Sequence, residues 1–429
     1  MISRVLIKLK CFIVENGIII CAGGKQMPKK TIKDIKLKGR SVIIRVDFNV
    51  PIKNGIITDD NRIVQALDTL NYIRNAGGKL VLLSHLGRVE CEDDKKEASL
   101  ACVAKRLEEL IKVKVLFIPF TKGIEVETAV KNMENGDIIM LENTRFEDVV
   151  NGEFVKKESK NISELGEYWA KLGDVFVNDA FGTAHRAHAS NVGIASNMKN
   201  SVAGFLMEKE IKFIGEAVDN PIRPFVAILG GAKVSDKISV IKNLINKADK
   251  ILICGAMVYT FSKSLGNKVG LSKCEDKFVE FAKELLDSAK GKIILPVDHV
   301  LANEFSENAS TRVALINEIE DNEMGLDIGP KTIKLFKQEL IGAKTVVWNG
   351  PAGVFEFEKF SVGTNGICKI LADLKQAVTI IGGGDSAAAA IKLGYENKFS
   401  HISTGGGASL EYLEGKILPG VEYLDDKEE

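Results

Sequence analysis

Arginine and histidine in this chain gather just behind apolar runs. Arg45, Asp47, Phe48 and Asn49 lie in ArgValAspPheAsnValPro (45–51), and His85, Leu86, Gly87 and Arg88 in SerHisLeuGlyArg (84–88). Arg145 lies in LeuGluAsnThrArgPhe (141–146), and His185, Arg186 and His188 close AsnAspAlaPheGlyThrAlaHisArgAlaHis (178–188), with Arg62 nearby. Any one of these arginines could serve in a surface ion pair. Together, planar forks concentrated at the ends of apolar runs suit bidentate recognition of carboxylate and phosphate oxygens. Asp47 and Asn49 could accept hydrogen bonds from substrate hydroxyls. The isolated His299 and His401 read as structural.

The second half supplies glycine instead. Its apolar runs end in LeuGlyGlyAlaLysVal (229–234), CysGlyAlaMet (254–257), TrpAsnGlyProAla (348–352), GlyGlyGlyAspSer (382–386) and SerThrGlyGlyGlyAlaSer (403–409). Gly382–Ser386 precedes an alanine-rich helix former, so its glycines open a helix amino terminus whose free NH groups can bind phosphate at close approach. Asp385 alone would repel that phosphate; it acts either through a bridging Mg²⁺ or as a plain helix cap. Lys233 and Lys237 stand one helical turn apart and face either one anion or solvent. Neither a Walker A spacing nor the HRD/DFG pair of protein kinases is present. One half thus looks built for a small phosphorylated acid and the other for a metal–nucleotide, a combination that suggests phosphoryl transfer.

Elements of two kinds must position these residues. Strand-length β-branched runs occur at 41–46, 80–84, 115–118, 138–142 and 175–178, and again at 225–229, 251–254, 293–296, 345–348, 378–381 and 401–403. Amphipathic stretches at 102–111, 277–289 and 331–339 read as covering helices, so the pattern is that of βα units around parallel sheets. The expected fold is α/β: two Rossmann-like three-layer α/β/α lobes joined by a helix over 202–218. At 429 residues, two or three domains fit the length. The 58 basic and 58 acidic residues balance, so no overall field draws the chain to nucleic acid or an anionic membrane. No window offers ~18 uncharged apolar residues, and seven cysteines without a CxxC pair fit a reducing, cytoplasmic setting. Residues 1–26 imitate a signal peptide, but Glu15 and Asn16 break the apolar run and Ile20 sits where a small residue belongs. They read as an extension ahead of a natural start at Met27.

In order along the chain, RVDFNVP, SHLGR, LENTRF, NDAFGTAHRAH, LGGAKVSDK, GLDIGP, WNGPAGVFE, GGGDS and STGGGASLE closely resemble the phosphoglycerate kinase family, over about residues 27–429. The resemblance implies reversible transfer from 1,3-bisphosphoglycerate to ADP with Mg²⁺, by a monomer whose lobes close about the connecting helix. It implies a phosphoglycerate domain at 27–201, a hinge at 202–219, a nucleotide domain at 220–410 and a segment 411–429 returning to the first domain. Carried over by motif, Asp47, Phe48, Asn49, Arg62, His85, Leu86, Gly87, Arg88, Arg145 and Arg186 bind phosphoglycerate. Lys237, Gly255, Ala256, Gly325, Glu356, Gly383, Gly384, Asp385 and Ser386 bind nucleotide, with Asp385 on Mg²⁺. Arg62, Lys233 and the NH groups near Gly383 and Gly406 surround the transferring group. Val89, Ala352 and Ser386 depart from the usual family residues, and none carries the chemistry. Two other classes share parts of the pattern. A two-lobed solute-binding protein would lack MgATP binding, and a dinucleotide dehydrogenase needs GxGxxG after its first strand, where this chain has ArgValAspPheAsn.

Overall fold

A computed structural model describes residues 28–427 and, by backbone alone, a hairpin of Phe12–Glu15 with Ile18–Cys21. The rest of the expected amino-terminal extension over 1–26, and the expected start Met27, lie outside the described residues.

Fully buried strands need apolar side chains on both faces, and the apolar runs become two parallel sheets of six strands. The first comprises β1 (Ser41–Arg45), β2 (Lys79–Leu83), β3 (Val115–Ile118), β4 (Ile138–Leu141), β5 (Val175–Asn178) and β6 (Ser201–Ala203), in the order β6-β5-β1-β2-β4-β3. The second comprises β7 (Phe225–Leu229), β8 (Lys250–Ile253) and β9 (Ile293–Ile294), and after an excursion β13 (Thr345–Asn349), β14 (Val378–Ile381) and β15 (His401–Ile402). Its order is β9-β8-β7-β13-β14-β15. Each sheet reverses its strand order beside its first strand, β1 or β7, and ligands of open parallel sheets bind outside the carboxyl ends at such a point.

The excursion is an antiparallel sheet that period analysis missed: β10 (Asp298–Ala302) between β11 (Thr311–Leu315) and β12 (Met324–Ile328). Asp298, Thr311, Arg312 and Gly325 interrupt its strands, and the first three residues of β11 are exposed, so no apolar run marks it. Covering helices behave as expected; Ala101–Ile111 buries Val103, Ala104, Leu107 and Ile111 along one stripe.

The connection between the lobes differs at its start from the expected helix. Ser201–Ala203 pairs with β5 as edge strand β6, and the helix begins only at Phe205. It runs through Phe205–Glu210, a wider π-type turn Ile211–Gly215, and Glu216–Asp219. Val202 is drawn into the sheet because its side chain is wholly buried in the first lobe's core. Asp179 accepts from the Met207 amide (3.1 Å) at the helix start, and burial raises its pKa to about 6. Residues 418–427 pack on the first lobe. Gly420 donates to Ala184 O (2.8 Å), Asp425 donates to Ser201 O (2.8 Å), and Lys30 donates to Asp425 O (2.8 Å).

Candidate active site

Arg45 ends β1 but does not reach the cleft. It is wholly buried, donating from Nε to Ser190 Oγ (2.8 Å) and from Nη2 to His85 Nδ1 (3.1 Å). Burial lowers its pKa, and the buried Glu158, itself held by the Ser190 amide and hydroxyl, opposes that shift. Because a guanidinium can only donate, His85 Nδ1 is an acceptor, and the ring proton of the neutral form sits on Nε2. Burial and then Arg45 hold the His85 pKa well below the ordinary imidazole value. Burial and then Arg145 bring His188 down to about 3. At neutral pH neither ring is charged, so they can donate hydrogen bonds but carry no proton between acid and base forms.

The remaining arginines converge. A cavity of about 530 Å³ is lined by Asp47, Asn49, Arg62, His85, Gly87, Arg88, Arg145 and Arg186 from the first lobe and Gly405–Gly407 from the second. Arg62 is the second residue of helix Asn61–Asn75, whose Ile63, Ala66, Leu70 and Ile73 are buried; its Nη1 bonds Asp47 Oδ2 at 2.6 Å. Asp47 Oδ1 is buried and has no hydrogen-bond partner among the described residues, an acceptor beside the cations. Asn49 fixes the Gly87 amide (2.9 Å). Arg145 donates to Ser159 Oγ (3.2 Å) and lies 3.6 Å from buried Asp148. Arg186 donates to His185 Nε2 (3.1 Å), while exposed Arg88 shows no charge partner among the described residues.

Phe48 and Leu86 do not bring side chains to this cavity. Both are buried in the first lobe's core, and their amides are taken by Ser84 Oγ (2.9 Å) and Asn143 Oδ1 (3.2 Å). An apolar side chain flanked by strand-end polar residues follows the core, so these side chains pack the loops from the core side. Val89, one of the unusual residues, is 1% exposed and packs with Ala98 and Val149. Phe154, Lys156 and Ser159, which line the cavity too, were missed. Asn151-Gly152, both at positive φ (51° and 81°), was the legible signal: an NG hairpin joining Val149–Val150 to Glu153–Phe154.

The second lobe's residues form a separate floor, made by contacts that leave no room for side chains. A Cβ at Gly230 would lie 2.2 Å from Pro351 O, and one at Gly255, where φ is +70°, would lie 2.5 Å from the Gly231 amide nitrogen. A Cβ at Gly383 would meet the Gly406 amide nitrogen at 2.6 Å, so two glycine turns stack backbone on backbone. The lobes also meet this way, since a Cβ at Gly405 would lie 2.9 Å from Gly182 Cα. Gly325, on β12, is held by Ser272 Oγ (3.0 Å) under Tyr259, and Ala256 packs at the edge of the same small core. Glu356 is exposed, and Ser386 turns its hydroxyl back to Gly382 O (2.6 Å).

Lys237 is the buried cation of this floor. It bonds Asn349 Oδ1, and burial lowers its pKa to about 8 against the pull of Asp236, Glu414 and Asp385. Lys233 is exposed. Asp385 is exposed in the first turn of helix Asp385–Lys392, unpaired among the described residues.

Two parallel-sheet lobes, one presenting cations and the other bare amides to a shared cleft, define a two-lobed kinase. The sequence profile described as phosphoglycerate kinase matches residues 32–416. Phosphoglycerate kinase of Enterococcus faecalis is 65% identical over 401 residues, 94% of this chain and 100% of that protein. That of Lactobacillus delbrueckii subsp. lactis is 62% identical over 405 residues, 94% of this chain and 100% of the relative. The solved phosphoglycerate kinase of Coxiella burnetii matches with a TM-score of 0.83 at 40% identity, covering 92% of this chain and 98% of that one. The enzyme from Pyrococcus horikoshii gives 0.78 at 32% identity over the same shares. The chain belongs to the phosphoglycerate kinase family. It is accordingly an enzyme, and neither a solute-binding protein nor a dehydrogenase.

Proposed function

We propose that this protein catalyses reversible, Mg²⁺-dependent phosphoryl transfer from 1,3-bisphosphoglycerate to ADP, giving 3-phosphoglycerate and ATP in the cytoplasm, as a monomer. The observation that carries this reading is the one cavity in which Arg62, Arg88, Arg145 and Arg186 face Gly405–Gly407 of the other lobe. An acyl phosphate is already a good donor, which agrees with a site whose histidines are neutral. The work left is to place two polyanions in line and to offset their repulsion. Two unit charges at ~4 Å are worth about 4 kcal/mol at an effective dielectric of ~20, so several cations and oriented amides are needed.

Arg145, Arg88 and Arg186 would bind the phosphate that stays, with Asp47 Oδ1 and Asn49 oriented for the hydroxyl. Arg62, Lys233 and the amides near Gly383 and Gly406 would surround the phosphoryl group in flight. Lys237, Gly255, Ala256, Gly325, Glu356 and the 383–386 turn would hold the nucleotide. Among the described residues no group of three or more His, Cys, Asp or Glu could hold a metal by itself. A lone exposed Asp385 at a glycine turn still fits Mg²⁺, which is bound by one or two carboxylates plus phosphate oxygens and water. Asp385 would hold the ion, which supplies neutralisation of phosphate charge when bound.

Closure of the lobes about the connecting helix would exclude water from the acyl phosphate. Supporting it, buried Glu210 of that helix accepts from Thr404 N (2.7 Å) and Oγ1 (2.8 Å) and lies 2.8 Å from His401 Nε2, tying helix to glycine loop. No helix among the described residues is long and apolar enough to cross a membrane. A coupled NADH assay with 3-phosphoglycerate and MgATP tests the reading: turnover is expected, and folded protein without turnover would refute it.

A further inference from the structure

One cation at the cavity has no role in the assignments above. Lys156 lines it beside Arg145 and Ser159, half-buried, in the loop that follows the second strand of the Asn151-Gly152 hairpin. Its backbone is left-handed (φ 59°), a region in which a lysine within a loop is uncommon and worth a reason. Asp148 imposes that conformation. Its carbonyl accepts from Val155 N (2.8 Å) and Lys156 N (3.0 Å), and its wholly buried carboxylate accepts from Ser159 N (2.9 Å) and Ser159 Oγ. Arg145 donates to that same Ser159 hydroxyl. Arg145 and Lys156 therefore ride on one unit built around Asp148.

Their charges are held differently. Arg62 is paired with Asp47 and Arg145 leans on Asp148, whereas the Lys156 ammonium has no carboxylate partner among the described residues and rests 4.6 Å from the centre of the exposed Phe154 ring. A ring face holds a cation weakly where water still reaches it, so a phosphate arriving at the Arg145 corner can take that ammonium over.

We propose that Lys156 is a binding residue for the non-transferring phosphate of phosphoglycerate, docked on Phe154 when that site is empty and delivered by the Asp148-centred turn. The proposal rests on the phosphoglycerate kinase reading.

The experiment uses the whole protein as wild type, Lys156→Asn and Lys156→Arg; asparagine tolerates the left-handed backbone and removes the charge. Calorimetric titration with 3-phosphoglycerate, without nucleotide and at two ionic strengths, is paired with steady-state kinetics. Lys156→Asn should weaken 3-phosphoglycerate binding about tenfold, the scale of one charge-assisted hydrogen bond, with a matching rise in its KM and little change in KM for ATP. Its binding should also respond less to salt than the wild type's, and Lys156→Arg should recover most of the affinity. Binding by Lys156→Asn within twofold of wild type at low salt would overturn the proposal. So would a loss confined to kcat, which would place the residue in lobe movement. If Lys156→Asn does not fold, Lys156→Gly, which fits the same backbone, is read by the same criteria. Wild-type protein that neither binds nor turns over 3-phosphoglycerate would refute the family function and this inference together; wild-type turnover with unaltered variants would refute the inference alone.

Discussion

At the end of β1 the chain places Arg45 and Asp47; at the end of β7 it places Gly230 and Gly231. The two sheets share strand count, parallel sense and a reversal beside the first strand, yet their clefts are made of opposite materials. In the first lobe, charged groups are aimed by other charged groups: Asp47 holds Arg62, Asp148 and Ser159 hold Arg145, and Arg45 sets the His85 tautomer. In the second, backbone packs directly on backbone because side-chain carbon is kept away, at Gly230, Gly255, Gly383 and Gly406. A small trianionic acid offers few atoms, so discrimination requires forks of fixed geometry. A nucleotide brings a polyphosphate tail that backbone dipoles can cradle. The first lobe should accordingly be sensitive to lost charge and the second to added volume.

Removing charge at the junction should have the largest effect. If its contact forms chiefly in the transition state, as proposed, Arg62→Ala should lower kcat by roughly 10³–10⁵, the range known for arginine fingers, with Michaelis constants moving far less. Arg62→Lys should recover only part, since the planar fork is lost. Steady-state kinetics on both variants measures it, and a rise in KM alone would move Arg62 into the ground-state clamp.

Adding one carbon opposite should come next. Gly383→Ala places a Cβ 2.6 Å from the Gly406 nitrogen and 3.0 Å from Ser403 O, both backbone atoms that cannot swing aside. We expect about 1–3 kcal/mol lost from stability and a kcat reduced ~10²–10³-fold if one phosphate-binding amide is displaced. Chemical denaturation and kinetics separate the two. Wild-type kcat in this variant would contradict the idea that bare backbone does the binding.

The smallest effect concerns Lys237, the second lobe's exception. With its folded pKa near 8, the ammonium is lost from ligand-free protein above that pH. Nucleotide affinity should fall up to about tenfold per pH unit above pH 8, while phosphoglycerate affinity, set by arginines, should not. The stability sign is opposite: between about 8 and 10.5 the unfolded chain binds the extra proton, so Lys237's contribution to stability rises with pH across that window. Titrations and denaturant melts from pH 7 to 9.5 test both; parallel loss of both ligands would erase the contrast between lobes.

How far the sequence disclosed this depended on whether the signal was local. Buried parallel strands such as Val42–Ile44 or Val226–Leu229 are apolar on both faces and announce themselves. Arg88, Arg145, Arg186 and the glycine turns stand in ordered motifs. Arg45 was misleading because a strand-end arginine is normally solvated, and the distant Ser190 and Glu158, together with His85, make its burial tolerable. Phe48 and Leu86 sit inside binding motifs but answer to the core. The Asn151-Gly152 turn was readable, yet its approach to Arg145 depends on Asp148 packing, which no periodicity reports.

The segment 418–427 also bears on how the chain is made. Asp425 is bonded to Lys30 on one side and to Ser201 on the other, and Lys29 Nζ donates to Leu424 O (3.0 Å) and Asp426 Oδ1 (2.7 Å). The edge of the first lobe is therefore finished by residues synthesised after the whole second lobe. Domains usually mature in the order of translation. Here the lobe begun first stays open at β6 until its last ten or so partners emerge from the ribosome, so the later lobe can reach its final form earlier.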